Sequence, residues 1–301
     1  MTTFFLQNST RIGPFEVWPI QWSGPELSSI RLSNEGDLGF YELDQPDPNT
    51  IIVSNSTNEE LLLPAGQIIG GLRQTRMVPD AVLVPANSNV EFDVFCVEQG
   101  RFHSPVQSRM SGRAPISVLL AGRSIVGQRN WGRGSSGRQN FVWDSVRRQE
   151  SRSGARPTSS LEQVMKEDQV SLKDFREVME QIDANLRMEA SNGFAISCQG
   201  EPLMLEVFAT KRGVDSLVRE TLVATLFDLP NLNFNPTEKS RIESLLLRLG
   251  SQKFDVSETL QSGVALSNSE ENLECHVIMD SRMKLVNTII LNRNHDILQE
   301  V

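Results

Sequence analysis

Between residues 15 and 120, short apolar or β-branched runs alternate with clusters of Gly, Pro, Asn and Ser. That rhythm restricts the first part of the chain to a sheet-based fold. The runs are Phe15-Glu-Val-Trp-Pro-Ile, Leu38-Gly-Phe-Tyr-Glu-Leu, Ile51-Ile-Val, Leu61-Leu-Leu and Ala81-Val-Leu-Val. Between them stand Asn34-Glu-Gly, Pro46-Asp-Pro-Asn and Pro85-Ala-Asn-Ser-Asn, residues that suit turns because they tolerate or preset the backbone angles a reversal needs. Strands at this spacing predict a sandwich or barrel.

From residue 159 the period changes. Ser171-Leu-Lys-Asp reads as a helix N-cap with an acidic third residue, and Leu172, Phe175, Val178, Met179, Ile182 and Leu186 follow at helical spacing. A hairpin follows over Phe194-Ala-Ile-Ser-Cys and Leu203-Met-Leu-Glu-Val-Phe, turning at Gln199-Gly-Glu-Pro. Helices are predicted over 214–227 and 237–249, and three strands near 261–266, 272–279 and 284–292. The predicted class is therefore α+β. A β-rich, sandwich- or barrel-like domain covers 1–123, a Gly/Ser/Arg-rich loop or linker covers 124–158, and an α+β domain covers 159–301. Inside the linker, Gln139-Asn-Phe-Val-Trp-Asp-Ser-Val-Arg-Arg suits a short helix with Phe141, Val142 and Val146 near one face.

Several function classes find no support. There is no run of eighteen apolar residues, and the first ten residues lack the marks of a secretory leader, so a cytoplasmic protein with no membrane partner is expected. Three scattered cysteines make no disulfide framework, and three histidines share no ligand spacing, so neither a metal nor another cofactor is expected. Phosphate-loop, dinucleotide, nucleophile-elbow and zinc-protease motifs are missing. A histidine-based triad would have to be built on His103, in a loop context.

The charge is unevenly placed. Residues 101–156 hold eleven arginines against Asp144 and Glu150, while the whole chain carries a net −9. Every basic residue before position 157 is arginine, whose planar fork suits bidentate contact with phosphate or carboxylate. A solvated loop explains the same composition.

Two polar stretches are the candidates for chemistry. In Gly66-Gln-Ile-Ile-Gly-Gly-Leu-Arg-Gln-Thr-Arg, Gly70 and Gly71 allow close backbone approach to a ligand, and Arg73, Gln74 and Arg76 follow. Phe95-Cys-Val-Glu-Gln-Gly-Arg brings Cys96, Glu98, Gln99 and Arg101 together at a strand end. Across 89–98, Val90, Phe92, Val94 and Cys96 alternate with Glu91 and Asp93. Continuing that period of two turns Glu98 onto the apolar face, where a carboxylate needs a partner such as Arg73, Arg76 or Arg101. Cys96 on that face reads as a small core side chain.

Leu61-Leu-Leu-Pro-Ala-Gly, Gly70-Gly-Leu-Arg-Gln-Thr-Arg, Val82-Leu-Val-Pro-Ala and Cys96-Val-Glu-Gln-Gly-Arg together resemble the ARG and rhodanese-phosphatase-superfamily-associated protein domain. Val142-Trp-Asp, Asn192-Gly-Phe-Ala-Ile-Ser and Leu205-Glu-Val-Phe resemble further parts of its pattern. The family's lysine-glutamine-asparagine-arginine run stands here as Arg73-Gln74-Thr75-Arg76, with the positive charge kept at the first position. The resemblance implies a link to ADP-ribose or a related nucleotide. Arg73 and Arg76 are then expected to hold phosphate oxygens, with Arg101 nearby, while Gln74 and Gln99 read hydroxyls or a base edge. Glu98 is expected to orient an arginine or act as a general base. The expected function is binding, with processing left open, of a phosphorylated ribose-containing metabolite. Two alternatives stand beside it. One is a nucleic-acid or protein-binding module using the 101–156 arginines, and the other is a structural protein with a buried polar brace.

Overall fold

The structure, a computed structural model, describes residues 4–45, 47–99, 107–123, 136–153, 160–171, 173–188, 190–229, 231–251, 254–260, 263–269 and 272–299. The class is α+β. The chain forms two compact units, each assembled from separated stretches: Met1–Arg31, Lys173–Arg219 and Asn231–Glu300 in one, Leu32–Leu172 and Glu220–Pro230 in the other.

The first unit is built on one nine-stranded antiparallel sheet. Its path runs Phe4–Leu6, Phe15–Trp22, Gly193–Cys198, Glu201–Phe208, Leu285–Asn292, Leu273–Asp280, Gly263–Ser269 and Asp255–Leu260, with Thr10–Ile12 paired to Phe15–Trp22. Sequence position alone would assign Phe15–Trp22 to the β-rich first part of the chain. It instead pairs with Gly193–Cys198, with Ala195 opposite Trp18 and Ile196 opposite Val17. The predicted hairpin forms, and Gln199 and Gly200 both take positive φ (54° and 84°), the geometry of a tight two-residue turn between right-twisted strands. Trp18, Ile20, Ala195, Leu205, Val207, Cys275, Val277 and Ile290 line one core, where Ile242, Leu245 and Leu246 of the helix Lys239–Ser251 join them. Among the described residues the C-terminal strands number four rather than three. The unexpected one, Asp255–Leu260, is an edge strand with Val256 exposed, so it lacks the apolar run by which a central strand declares itself.

The second unit carries three smaller sheets. Val82–Val84 pairs with Glu60–Leu63, and Leu38–Glu42, Thr50–Asn55 and Ser88–Asp93 form a meander. Gln67–Gly70, Arg76–Met77, Phe95–Cys96 and Arg109–Arg113 make the third sheet. Each follows a linear strand order, so the sheets are open and no barrel closes among the described residues. Leu61, Leu63, Ile51, Val53, Ile69, Val78, Val84 and Val94 pack into a shared core.

Among its described residues this unit also holds the helices Ile116–Arg123, Ser136–Ser153 and Leu161–Ser171 and the end of the helix Val214–Leu226. The second is eighteen residues long, where the sequence suggested a short helix within a loop. Its inward stripe is Gln139, Val142, Ser145, Val146, Gln149 and Glu150, all buried, whereas Phe141 is half exposed. A face that is mostly polar leaves little hydrophobic periodicity to read.

The long strand expected over 89–98 is two strands in two sheets. Ser88–Asp93 ends, the Val94 amide bonds Asn49 O at 2.7 Å, and Phe95–Cys96 pairs with Arg76–Met77. The alternation therefore breaks at Val94, and Val94, Phe95, Cys96, Val97 and Glu98 are all buried in succession. Glu98 is buried because this whole segment is, not because of strand period.

Candidate functional site

Antiparallel pairing sets Cys96 directly opposite Arg76, so the two side chains share one face of the short ladder. Arg76 Nη1 donates to the Cys96 sulfur and, at 2.9 Å, to Gln74 Oε1. The Cys96 thiol donates to the same Gln74 oxygen at 3.1 Å. Gln74 Nε2 reaches Glu98 O at 3.3 Å, and the Glu98 carboxylate takes both the amide and the hydroxyl of Thr75 at 3.0 Å. Arg76 Nη2 stands 3.9 Å from Glu42 Oε1, which also accepts the Arg73 amide at 3.1 Å. The two polar stretches thus meet in one network. Gln74, Arg76, Cys96 and Glu98 are each no more than 5% exposed.

The other expected site residues fall elsewhere. Arg73 and Gln99 are exposed, and Gln99 Oε1 accepts from Arg147 Nη1 at 3.0 Å. Arg101, like His103, lies outside the described residues. Gly71 has φ +86°, and a Cβ there would stand 2.3 Å from Gln107 O. At Gly70 it would meet Glu162 Oε2 and Ser111 Oγ at 3.1 Å. The close approach at these glycines is to the chain's own neighbouring segment.

Two members of the network escaped sequence reasoning. Gln139 donates to Cys96 O and accepts from Cys96 N, both at 2.8 Å, closing the open edge of Phe95–Cys96 as a strand would. Glu42 sits at the end of an ordinary-looking strand. Neither residue type nor spacing flags them, because their role depends on what folds against them.

The electrostatics argue against a nucleophilic thiol. Burial pushes the Cys96 thiol up; the Arg76 guanidinium pulls the other way, while Glu42 and Glu98 raise it further. A second sulfur lies against an imidazole in the other unit, where Cys198 Sγ is 3.4 Å from His295 Nε2. There the Ile297 amide donates to His295 Nδ1, so Nε2 carries the proton and donates to Cys198 O at 3.1 Å. Burial holds the His295 pKa below its ordinary value. With both ring nitrogens so engaged, the imidazole has no lone pair to take the Cys198 proton. Among the described residues no cluster of three or more His, Cys, Asp or Glu side chains could hold a metal ion. No described helix is long and apolar enough to cross a membrane.

A further buried polar group belongs to the second unit. Asp228, fully buried, accepts the Ser117 amide at 3.2 Å and Gln149 Nε2 at 2.7 Å. It thereby caps the helix Ile116–Arg123 from outside. Burial raises its pKa to about 6 against the pull of the Ser117 and Ile116 bonds and of Arg152.

Fold and site define an α+β protein whose second unit encloses an arginine–thiol–carboxylate network between two short strands. Its sequence matches the family model described as ARG and Rhodanese-Phosphatase-superfamily-associated Protein domain over residues 34–290, and the chain belongs to that family. No curated protein and no solved structure matches it.

Proposed function

We propose that the Gln74–Arg76–Glu42 network binds a phosphorylated, ribose-containing metabolite of the ADP-ribose or nucleotide type. One observation carries this reading. Among the described residues, Arg76 Nε and Glu42 Oε2 are buried without a hydrogen-bond partner, a donor and an acceptor from one ion pair. Such orphaned groups cost about 1–3 kcal/mol each, and more when charged. A sugar hydroxyl accepts from the first and donates to the second, whereas a phosphate dianion only accepts and an ammonium only donates. Exposed Arg73, whose amide is held by Glu42, supplies the cation for the phosphate. Membership of a family named for its association with ADP-ribosylglycohydrolases and phosphatases is consistent with that class of ligand.

Titration calorimetry of the whole chain with ADP-ribose, ribose 5-phosphate and adenosine tests the proposal. Saturable heat with the phosphorylated ligands is expected, with at least a tenfold loss of affinity in Arg73→Ala, which leaves the buried network intact. No heat from the wild-type protein at millimolar ligand would refute it.

A second reading, the buried brace, is favoured by the near-complete burial of Arg76, Gln74, Cys96 and Glu98. On that reading Glu98→Ala destabilises the protein by about 1–3 kcal/mol, by leaving the Thr75 amide unpaired, and none of the three ligands alters stability.

A further inference from the structure

The opposite face of the same strand pair carries a second set of unsatisfied cations. Cys96 and Arg76 share one face, so Phe95 and Met77, paired opposite each other, share the other. The helix Ile116–Arg123 ends against that face. A Cβ at Gly122 would lie 2.8 Å from Met77 Cε and 3.2 Å from Phe95 Cδ2. The next residue, Arg123, has a side chain only 2% exposed and is tied through Nε to Asp80 Oδ1 at 3.1 Å. Both of its terminal amino groups, Nη1 and Nη2, are buried without a hydrogen-bond partner among the described residues. Arg138, from the first turns of Ser136–Ser153, lies with its guanidinium carbon 5.4 Å from the centre of the Phe95 ring. Its Nε is likewise buried and unpartnered among the described residues.

Gly122, the residue before Arg123, and Arg138 thus both meet the Phe95 ring, and the two arginines leave three buried nitrogens without a partner among the described residues. Gln149 Nε2 near the end of the second helix bonds Ser117 Oγ at the start of the first at 2.9 Å, while Gly122 and Arg138 at the other ends both meet Phe95, so the two helices run antiparallel. Their opposite ends, bearing Arg123 and Arg138, are thereby brought together. The chain offers little local counter-charge: from Gln99 to Trp143 it contains no acidic residue. Asp80 Oδ1 meets Arg123 at Nε and its side chain is 45% exposed, which makes it a rim group. A buried arginine whose two amino groups have no hydrogen-bond partner among the described residues is costly, and what its fork matches is an oxyanion with two oxygens at the right spacing.

We propose that Arg123 and Arg138 form an oxyanion subsite for phosphate or diphosphate. Arg123 Nη1 and Nη2 grip one phosphoryl group bidentately, and Arg138, held on Phe95 by cation–π contact, supplies the second charge. Asp80 fixes the Arg123 fork from the solvent side and keeps it oriented when the site is empty. This site stands apart from the ribose reading above, because its residues occupy the other face of the strand pair and require no sugar.

Inorganic pyrophosphate is the probe. It should raise the melting temperature saturably and beyond sodium chloride at matched ionic strength, and give heat in titration calorimetry. Arg123→Lys keeps the charge and its reach to Asp80 but loses the fork, and should weaken pyrophosphate at least tenfold. Arg138→Gln, on a partly exposed side chain, should weaken it several-fold and serves if the first variant fails to fold. Arg73→Ala should leave pyrophosphate binding unchanged, which separates this site from the ribose site. No saturable response in the wild-type protein, or equal responses in wild type and both fork variants, would overturn the assignment.

Discussion

Replacing Asp228 by asparagine should remove most of one pH dependence from the stability of the second unit. Asp228 is fully buried, and its pKa rises from 3.8 to about 6 on folding. A raised carboxyl pKa means that the folded state prefers the protonated form. Its contribution to stability is therefore present in acid and is lost as pH rises from about 4 through about 6. A displacement of this size, at about 1.4 kcal/mol per pH unit, corresponds to about 3 kcal/mol between the two limits. In Asp228→Asn the side-chain oxygen can still accept the Ser117 amide, and Gln149 can turn its own oxygen toward the new amide, so the geometry survives without a charge to desolvate. Urea unfolding of both proteins at pH 4.5, 6 and 8 measures the difference directly. The variant should gain on wild type by about 2 kcal/mol between the lowest and highest pH, with the other titrations cancelling in the comparison. A constant gap across that range would show that Asp228 is not desolvated as its burial implies.

Other perturbations probe the network itself. Gln139→Ala removes both partners of the Cys96 backbone and should cost about 2–4 kcal/mol in denaturant unfolding; a loss under half a kcal/mol would mean that edge is otherwise satisfied. Cys96 should resist thiol reagents at pH 7.5 until the protein unfolds, because it is 2% exposed and its thiol is pushed up. Rapid labelling of the native protein at that position, followed by mass spectrometry, would contradict this. Gly71→Ala should destabilise by about 2–3 kcal/mol, since it combines φ +86° with an approach of 2.3 Å to Gln107 O; an unchanged melting temperature would refute it.

What the sequence by itself determined are the features written in local chemistry. Apolar alternation and turn residues specify the strands at 15–22, 38–42, 50–55, 60–63 and 82–84, and helical spacing specifies the helix over 173–185. Glycine after glutamine specifies the hairpin turn at 199–200. The strand period expected to turn Glu98 toward the arginines breaks at Val94; the whole segment 94–98 is buried, and the Glu98 carboxylate takes the Thr75 amide and hydroxyl. Tertiary structure alone decided the rest. Phe15–Trp22 joins strands nearly two hundred residues away, since any strand edge with a matching face can complete a sheet whatever its place in the chain. Ser136–Ser153 hides its helical character behind a polar inner stripe, stable only because Gln139 and Gln149 find partners in Cys96 and Asp228. Arg73 and Arg76, three residues apart and alike in sequence, part company at the surface. One backbone bond to Glu42 and one cross-strand sulfur place the first in water and the second in the core, and no local pattern encodes that choice.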